Sequence, residues 1–334
     1  MSRRRMWWWL RRKRIDGPVA MTPASRMKAR RAPARLVAIA LVCLGAGMAR
    51  ADERDANSTA ALRAKYGVLQ DRLSHNPFGR PLYLDSSATP GTVAGDIYAL
   101  VNYPFATVGG ALNSPGNWCD ILILHLNTKF CRASTARKGA VLNVSIGKKY
   151  DQPLDSAYRM AFAYGVSAQS PEFLLVRLNA EEGPLGTRNY QIVLEAVALD
   201  SGMTFIHLSY SYAYGVVGEL AMRAYLATIG RSKVGFTIVG EQSDGQPIHV
   251  GGMRGVVERN TMRYYLAIEA FLGALSAPPR ARLEKSLRDW FAAIERYPRQ
   301  LHEMERGEYL DMKRREYSRQ QDEAPLTTTP QPGA

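Results

Sequence analysis

Apolar and polar positions change period several times along this chain, and each change marks an element. Between Asn57 and Leu73 the apolar residues Leu62, Tyr66, Leu69 and Leu73 recur at helical spacing, which predicts an amphipathic helix ended by Asn76-Pro77-Phe78-Gly79. Arg80 to Leu84 and Thr92 to Val101 read as strands, the second with Val93, Gly95, Ile97, Ala99 and Val101 on one face. Pro104 starts a helical stretch through Val108 and Leu112. Asn113-Ser114-Pro115-Gly116 breaks it, and Asn117 to Leu122 forms a second short piece with Trp118 as a core plug.

Strand-like runs follow at Leu126 to Ala133, Val141 to Lys148, Tyr158 to Val166, Glu172 to Ala180, Tyr190 to Leu199 and Met203 to Tyr214. Turn formers such as Gly183-Pro184-Leu185-Gly186 and Asp200-Ser201-Gly202 separate them, so the pattern is an antiparallel meander. After Gly215 the period becomes helical through Leu220, Ala224, Ala227 and Ile229, with Gly230 as the stop. Val234 to Val239 and Gln246 to Val250 pair as a hairpin across Ser243-Asp244-Gly245. Val257, Thr261, Tyr264, Ile268, Phe271 and Leu275 then trace one face of a long helix stopped by Pro278-Pro279. Arg280 to Gln321 is charged and amphipathic, with Leu283, Leu287, Trp290 and Ile294 on one stripe and its charges read as a solvated face. Thr327 to Ala334, rich in Pro and Thr, is expected to be disordered.

Ahead of these elements, Lys28, Arg30, Arg31 and Arg35 precede an apolar run from Leu36 to Gly47, and Ala49-Arg50-Ala51 offers small residues for a signal peptidase. This reads as a leader, with the mature chain starting near Asp52 in the periplasm or outside the cell. The run is shorter than the roughly 20 residues a membrane-spanning helix needs. A basic segment with Arg3 to Arg5, Trp7 to Trp9 and Arg11 to Arg14 lies upstream, and Met27 would itself start a conventional leader. Of the 44 Lys and Arg residues thirteen precede Asp52, against one of the 30 acids, which leaves 31 bases and 29 acids in the mature chain. The overall basicity therefore belongs to the discarded segment, and nucleic acid is not an expected partner.

Processing leaves Cys119 and Cys131, an even pair at short spacing that reads as a disulfide in an oxidising compartment. A metal site using His125 between them would lack a fourth ligand, so no metal and no cofactor is expected.

A strand ending at Tyr103-Pro104, followed by Phe105, Val108, Leu112 and Asn117-Trp118-Cys119, resembles the opening of START-like (SRPBCC) helix-grip domains. The resemblance covers roughly Thr92 to Leu275 and implies an α+β fold, a curled antiparallel sheet from Leu126 to Tyr214 gripping Val256 to Leu275. The segment Gly218 to Gly252 departs from it by inserting a helix and hairpin before the gripping helix. Ser209-Tyr210-Ser211-Tyr212 and Glu258-Arg259-Asn260 are also similar to stretches of secreted bacterial proteins of unassigned activity.

Domains of this kind resemble one another in a cavity between sheet and helix that holds lipids, sterols or polyketides. Ile206, Leu208, Tyr210, Tyr212 and Tyr214 form one strand face, expected to look inward at Tyr264, so Tyr210, Tyr212 and Tyr264 are candidate ligand contacts. Arg254, Glu258, Arg259 and Arg263 crowd the start of the long helix. Arg254 and Arg259 read either as a clamp for an anionic headgroup or as part of an ion-pair network fixing the helix to the sheet. His207 and Ser209 share the other strand face, with Glu195 on a neighbouring strand, but no nucleophile-elbow motif accompanies them, and catalytic residues stay unknown.

The organisation expected is a leader with its upstream extension at 1–51, a helix and strand at 52–91, a helix-grip-like domain at 92–276, a charged helical extension at 277–322 and a tail at 323–334. The functional expectation is an exported protein that binds or carries an apolar small molecule or lipid. The alternatives are a hydrolase or cyclase-type enzyme on the same scaffold, and an envelope structural module meeting a protein partner through the C-terminal helices.

Overall fold

The computed structural model describes residues 58–136, 139–227, 231 and 233–322; the leader and the C-terminal tail lie outside the described residues. Helix α1 (residues 58–74) precedes β1 (Leu82–Thr89) and β2 (Thr92–Val101). Helices α2 (Phe105–Leu112) and α3 (Pro115–Leu122) lead into β3 (Thr128–Ala136), β4 (Gly139–Ile146), β5 (Tyr158–Gln169), β6 (Phe173–Glu182), β7 (Thr187–Ala198) and β8 (Thr204–Tyr214). Then come α4 (Val216–Ala227), β9 (Ile238–Glu241), β10 (Pro247–His249), the long α5 (Gly252–Ala274), α6 (Pro279–Ile294), α7 (Pro298–Leu301) and α8 (Arg306–Asp322). Proline at the first turn of α3 and of α6 starts each helix where no intrahelical N–H partner is needed. Among the described residues no helix is long and apolar enough to cross a membrane.

Strands β1 to β8 form one antiparallel sheet in the order β1-β2-β8-β7-β6-β5-β4-β3. From β3 to β8 each strand pairs with the next in sequence, whereas β2 pairs with β8 from Thr92 opposite Ala213 to Val101 opposite Thr204. β1 continues to Thr89 because register with β2 recruits the polar run from Asp85, which alternation alone leaves as loop. The hairpin crosses the boundary expected at residue 91, so β1 is an edge strand of the main sheet.

The two faces of the sheet are covered differently. Helix α5 crosses the inner face over β1, β2 and β8, and it approaches Gly95 closely, where an added Cβ would lie 2.5 Å from Thr261 Oγ1. Helix α1 covers the outer face, packing Leu62, Leu69 and Leu73 on Phe173, Val197 and Phe205.

The charged C-terminal helices do not stand off as a solvated extension. Trp290, Leu301 and Tyr309 are fully buried in the same core as the sheet, and so are Lys313 and Glu316 of α8. Helix α8 lies along β3, the sheet edge, where Gln320 Oε1 accepts the Cys131 N–H at 3.0 Å and satisfies a donor that would otherwise be open to another strand. Cys131 is bonded to Cys119 with Cα atoms 5.1 Å apart, which ties α3 to the same edge. Helix α4 also differs from expectation, since Val216, Val217 and Leu220 face solvent while Gly218 is buried.

Candidate functional site

Between the inner face of β4, β5, β7 and β8, the turn after α3, and α5 lies a pocket of about 130 Å³. Met160, Phe162, Ile192 and Leu122 supply apolar wall, and His125, Thr128, Tyr210, Asn260 and Tyr264 supply its polar groups. Asn260 and Tyr264 are four residues apart on α5, so both fall on the helix face that looks into the pocket.

His125 forms the polar end. Its ring stacks on Tyr264 with centroids 4.9 Å apart, and Nδ1 accepts the Asn127 backbone N–H at 3.1 Å. The neutral tautomer therefore carries its proton on Nε2, and that atom is buried without a hydrogen-bond partner. Burial, followed by the nearby charges of Arg263, Lys313, Lys149 and Lys129, holds the imidazole pKa well below its ordinary value. His125 is thus a neutral donor at the pocket wall. Tyr210 meets Tyr264 edge-on at 5.2 Å, and burial raises both phenols.

A charged layer backs this wall. Lys313 Nζ donates to the carbonyl of His125 at 3.1 Å and to that of Thr128 at 2.7 Å, and it pairs with Glu316 at 2.5 Å. Lys129 pairs with the other oxygen of Glu316 at 2.9 Å. All three side chains have zero exposure, and burial pulls the Lys313 ammonium down to about 8. A second carboxylate, Glu303, sits 2.7 Å from Arg263 and 2.6 Å from Lys149.

Tyr210 and Tyr264, candidates from the strand and helix patterns, line this pocket. Tyr212 does not; it stacks on Tyr190 at 5.1 Å, one pleat further along the strand. The proposed clamp is corrected too. Arg254 donates to Ser86 Oγ at 2.8 Å and lies 3.9 Å from Glu258, while Arg259 donates to the Val234 carbonyl at 3.1 Å. Fully buried Glu258 accepts from Ser86 Oγ, the N–H groups of Phe236 and Thr237, and Thr237 Oγ1. These residues fasten the inserted segment and β1 to α5, because positions 254 and 258 share a helix face turned away from the one that carries 260 and 264.

The Ser209 and His207 reading also fails on geometry. His207 donates Nδ1–H to Glu195 at 2.7 Å and Nε2–H to Asp96 at 2.9 Å, which leaves no lone pair to take a proton from serine. Its ring lies flat on Tyr98 at 4.2 Å. Burial opposes the imidazolium, and the bonds to Asp96 and Glu195 outweigh it, so the pKa is raised.

Two wider clefts lie elsewhere. One of about 520 Å³ runs between α3, α5, α6 and α8, where burial lifts Asp120 to about 6 despite a hydrogen bond from Tyr317. The other, about 590 Å³, is bordered by Tyr66, Gln70 and Arg80. The first has no buried unpartnered donor on its wall, and in the second the one such donor is Arg80 Nε, whose guanidinium is already paired with Glu269. The pattern of the chain gave no warning of His125, Lys313 or Glu316 as site residues, since no ligand spacing surrounds the histidine and the lysine and glutamate lie in a run that reads as surface.

No protein-family model matches the chain, and no curated protein sequence matches it. Solved structures similar to it include Ara h 8.0201, at 12% identity over 55% of this chain and 99% of that one, with a TM-score of 0.33. The norcoclaurine synthase of Thalictrum flavum is 13% identical over 42% of this chain and 80% of that one, with a TM-score of 0.28. Human StAR-related lipid transfer protein 5 is 12% identical over 52% of this chain and 90% of that one, with a TM-score of 0.29. These neighbours are START-like helix-grip proteins.

Proposed function

We propose that the protein binds an apolar small molecule in the pocket between the sheet and α5. The observation that carries this reading is the buried Nε2–H of His125, which stands on the pocket wall with no acceptor from the protein. Leaving such a donor unpaired costs about 1–3 kcal/mol, and a ligand bearing an acceptor removes that cost. The volume of about 130 Å³ is close to the ~150 Å³ of a buried apolar cavity that accepts benzene. A single-ring compound therefore enters without rearrangement, and a lipid or sterol requires α5 and the Pro184 turn to separate.

Export is part of the proposal. The Cys119 to Cys131 bond supports an oxidising compartment, and the basic and apolar segments ahead of Asp52 support a cleaved leader. A cyclase-type activity would use the same pocket, with His125 and Tyr264 as its polar groups. An envelope partner would have to meet the polar surface of α6 and α8, since Leu287, Trp290 and Ile294 are buried within the chain.

Native mass spectrometry of the full protein with single-ring aromatic compounds tests the reading. Wild-type protein should take up one molecule per chain, and Ile192→Phe, which fills the pocket, should take up none. Equal uptake by both proteins would put binding elsewhere and overturn the proposal.

A further inference from the structure

Resting on the ligand-binding reading, we infer that the pocket takes a single-ring ligand with an acidic hydroxyl and holds it as the phenolate, the oxyanion accepting the Nε2–H of His125. Three features of the wall point to an anion. The imidazole Nε2 is a donor without an acceptor, buried on the pocket. Directly behind it, the Lys313 ammonium is fixed to the carbonyls of the pocket residues His125 and Thr128. One carboxylate, Glu316, serves both Lys313 and Lys129, so this fully buried triad carries a net positive charge.

The other charges near the wall do not reverse this. Glu303 is shared between Arg263 and Lys149, and Asp151, which acts on Lys129 from a distance, is bonded to Arg315. Charge taken from water into a protein interior is costly unless it is compensated, and an anion in the pocket compensates the excess of the triad. A neutral ring with an acceptor would pair the donor but leave the excess charge of the triad uncompensated. A cationic ligand would meet repulsion from the same ammonium groups. The low pKa of His125 agrees with this arrangement, because the ring itself stays neutral and donates without competing for the positive charge.

Para-nitrophenol is the probe, with nitrobenzene as its non-ionisable counterpart of the same ring size. The visible absorbance of the phenolate is followed against pH in the presence of excess full-length mature protein. Bound nitrophenol should ionise at a pH lower by about one unit or more than free nitrophenol, the shift expected from a nearby opposite charge. His125→Phe keeps a ring against Tyr264 and should bind nitrobenzene while losing much of the shift. Nitrophenol that binds but titrates at its free value or above overturns the inference and leaves the ligand-binding reading standing. If neither probe binds the folded protein, the reading beneath it falls as well.

Discussion

Lys313, on α8, donates to the backbone carbonyl of His125, 188 residues earlier, at 3.1 Å. The C-terminal helix thereby holds the polar end of a pocket formed by the sheet and α5. Replacing Lys313 by Met leaves the Thr128 carbonyl without this donor, at about 1–3 kcal/mol for a buried group left unpaired, while the His125 carbonyl keeps the Thr128 N–H. Ligand affinity should fall in the same variant, because the His125 turn loses its anchor.

Glu316→Gln should be worse than Lys129→Met. The glutamate is the shared partner of two buried ammonium groups, and removing it leaves like charges uncompensated, at about 3–5 kcal/mol. Lys129→Met leaves Lys313 and Glu316 still paired. Urea unfolding of the two variants should rank them in that order, and the reverse order would deny Glu316 its central place.

Stability should depend on pH with opposite signs at two histidines. His207 has a folded-state pKa raised above its unfolded value near 6.5, so its contribution is complete below that value and is lost as pH rises through the folded pKa. His125 has a lowered folded-state pKa, so the native state loses stability as pH falls below about 6.5 toward that value. His207→Gln should cost more at pH 6 than at pH 8.5, measured by denaturant midpoints. His125→Phe should remove part of the acid-side loss.

Gly95 is a point of close approach between β2 and α5. A valine there would drive side-chain atoms into Thr261 and the Val257 carbonyl, an overpacking that costs about 1–3 kcal/mol. Gly110→Ala is the control, since an added Cβ at that helical position meets nothing within 4 Å and alanine favours the helix by up to about 1 kcal/mol. Thermal melts should move in opposite directions for the two changes.

Much of the sheet is legible in the chain. Alternation from Ile206 to Tyr214 shows which strand face turns inward because one face is buried along the whole run. Period says nothing about which strands meet at a distance, so the pairing of β2 with β8 and the cover of α1 on the outer face emerge only in three dimensions. The arginine and glutamate cluster at the start of α5 is visible as a cluster. Its target is not, because that depends on where the inserted segment, Gly218 to Gly252, returns to the helix. The pocket is the least legible feature, since the character of His125 rests on the Asn127 N–H and on a lysine in a run whose composition reads as solvated.

The central claim, that a small ring binds between the sheet and α5, is tested most directly by heteronuclear NMR titration of the full protein with nitrobenzene. The account predicts saturable one-to-one shifts centred on His125, Ile192, Tyr210 and Tyr264, abolished in Ile192→Phe. Shifts centred on the cleft beside Asp120, or a folded protein whose pocket resonances do not move at saturating probe, would contradict it.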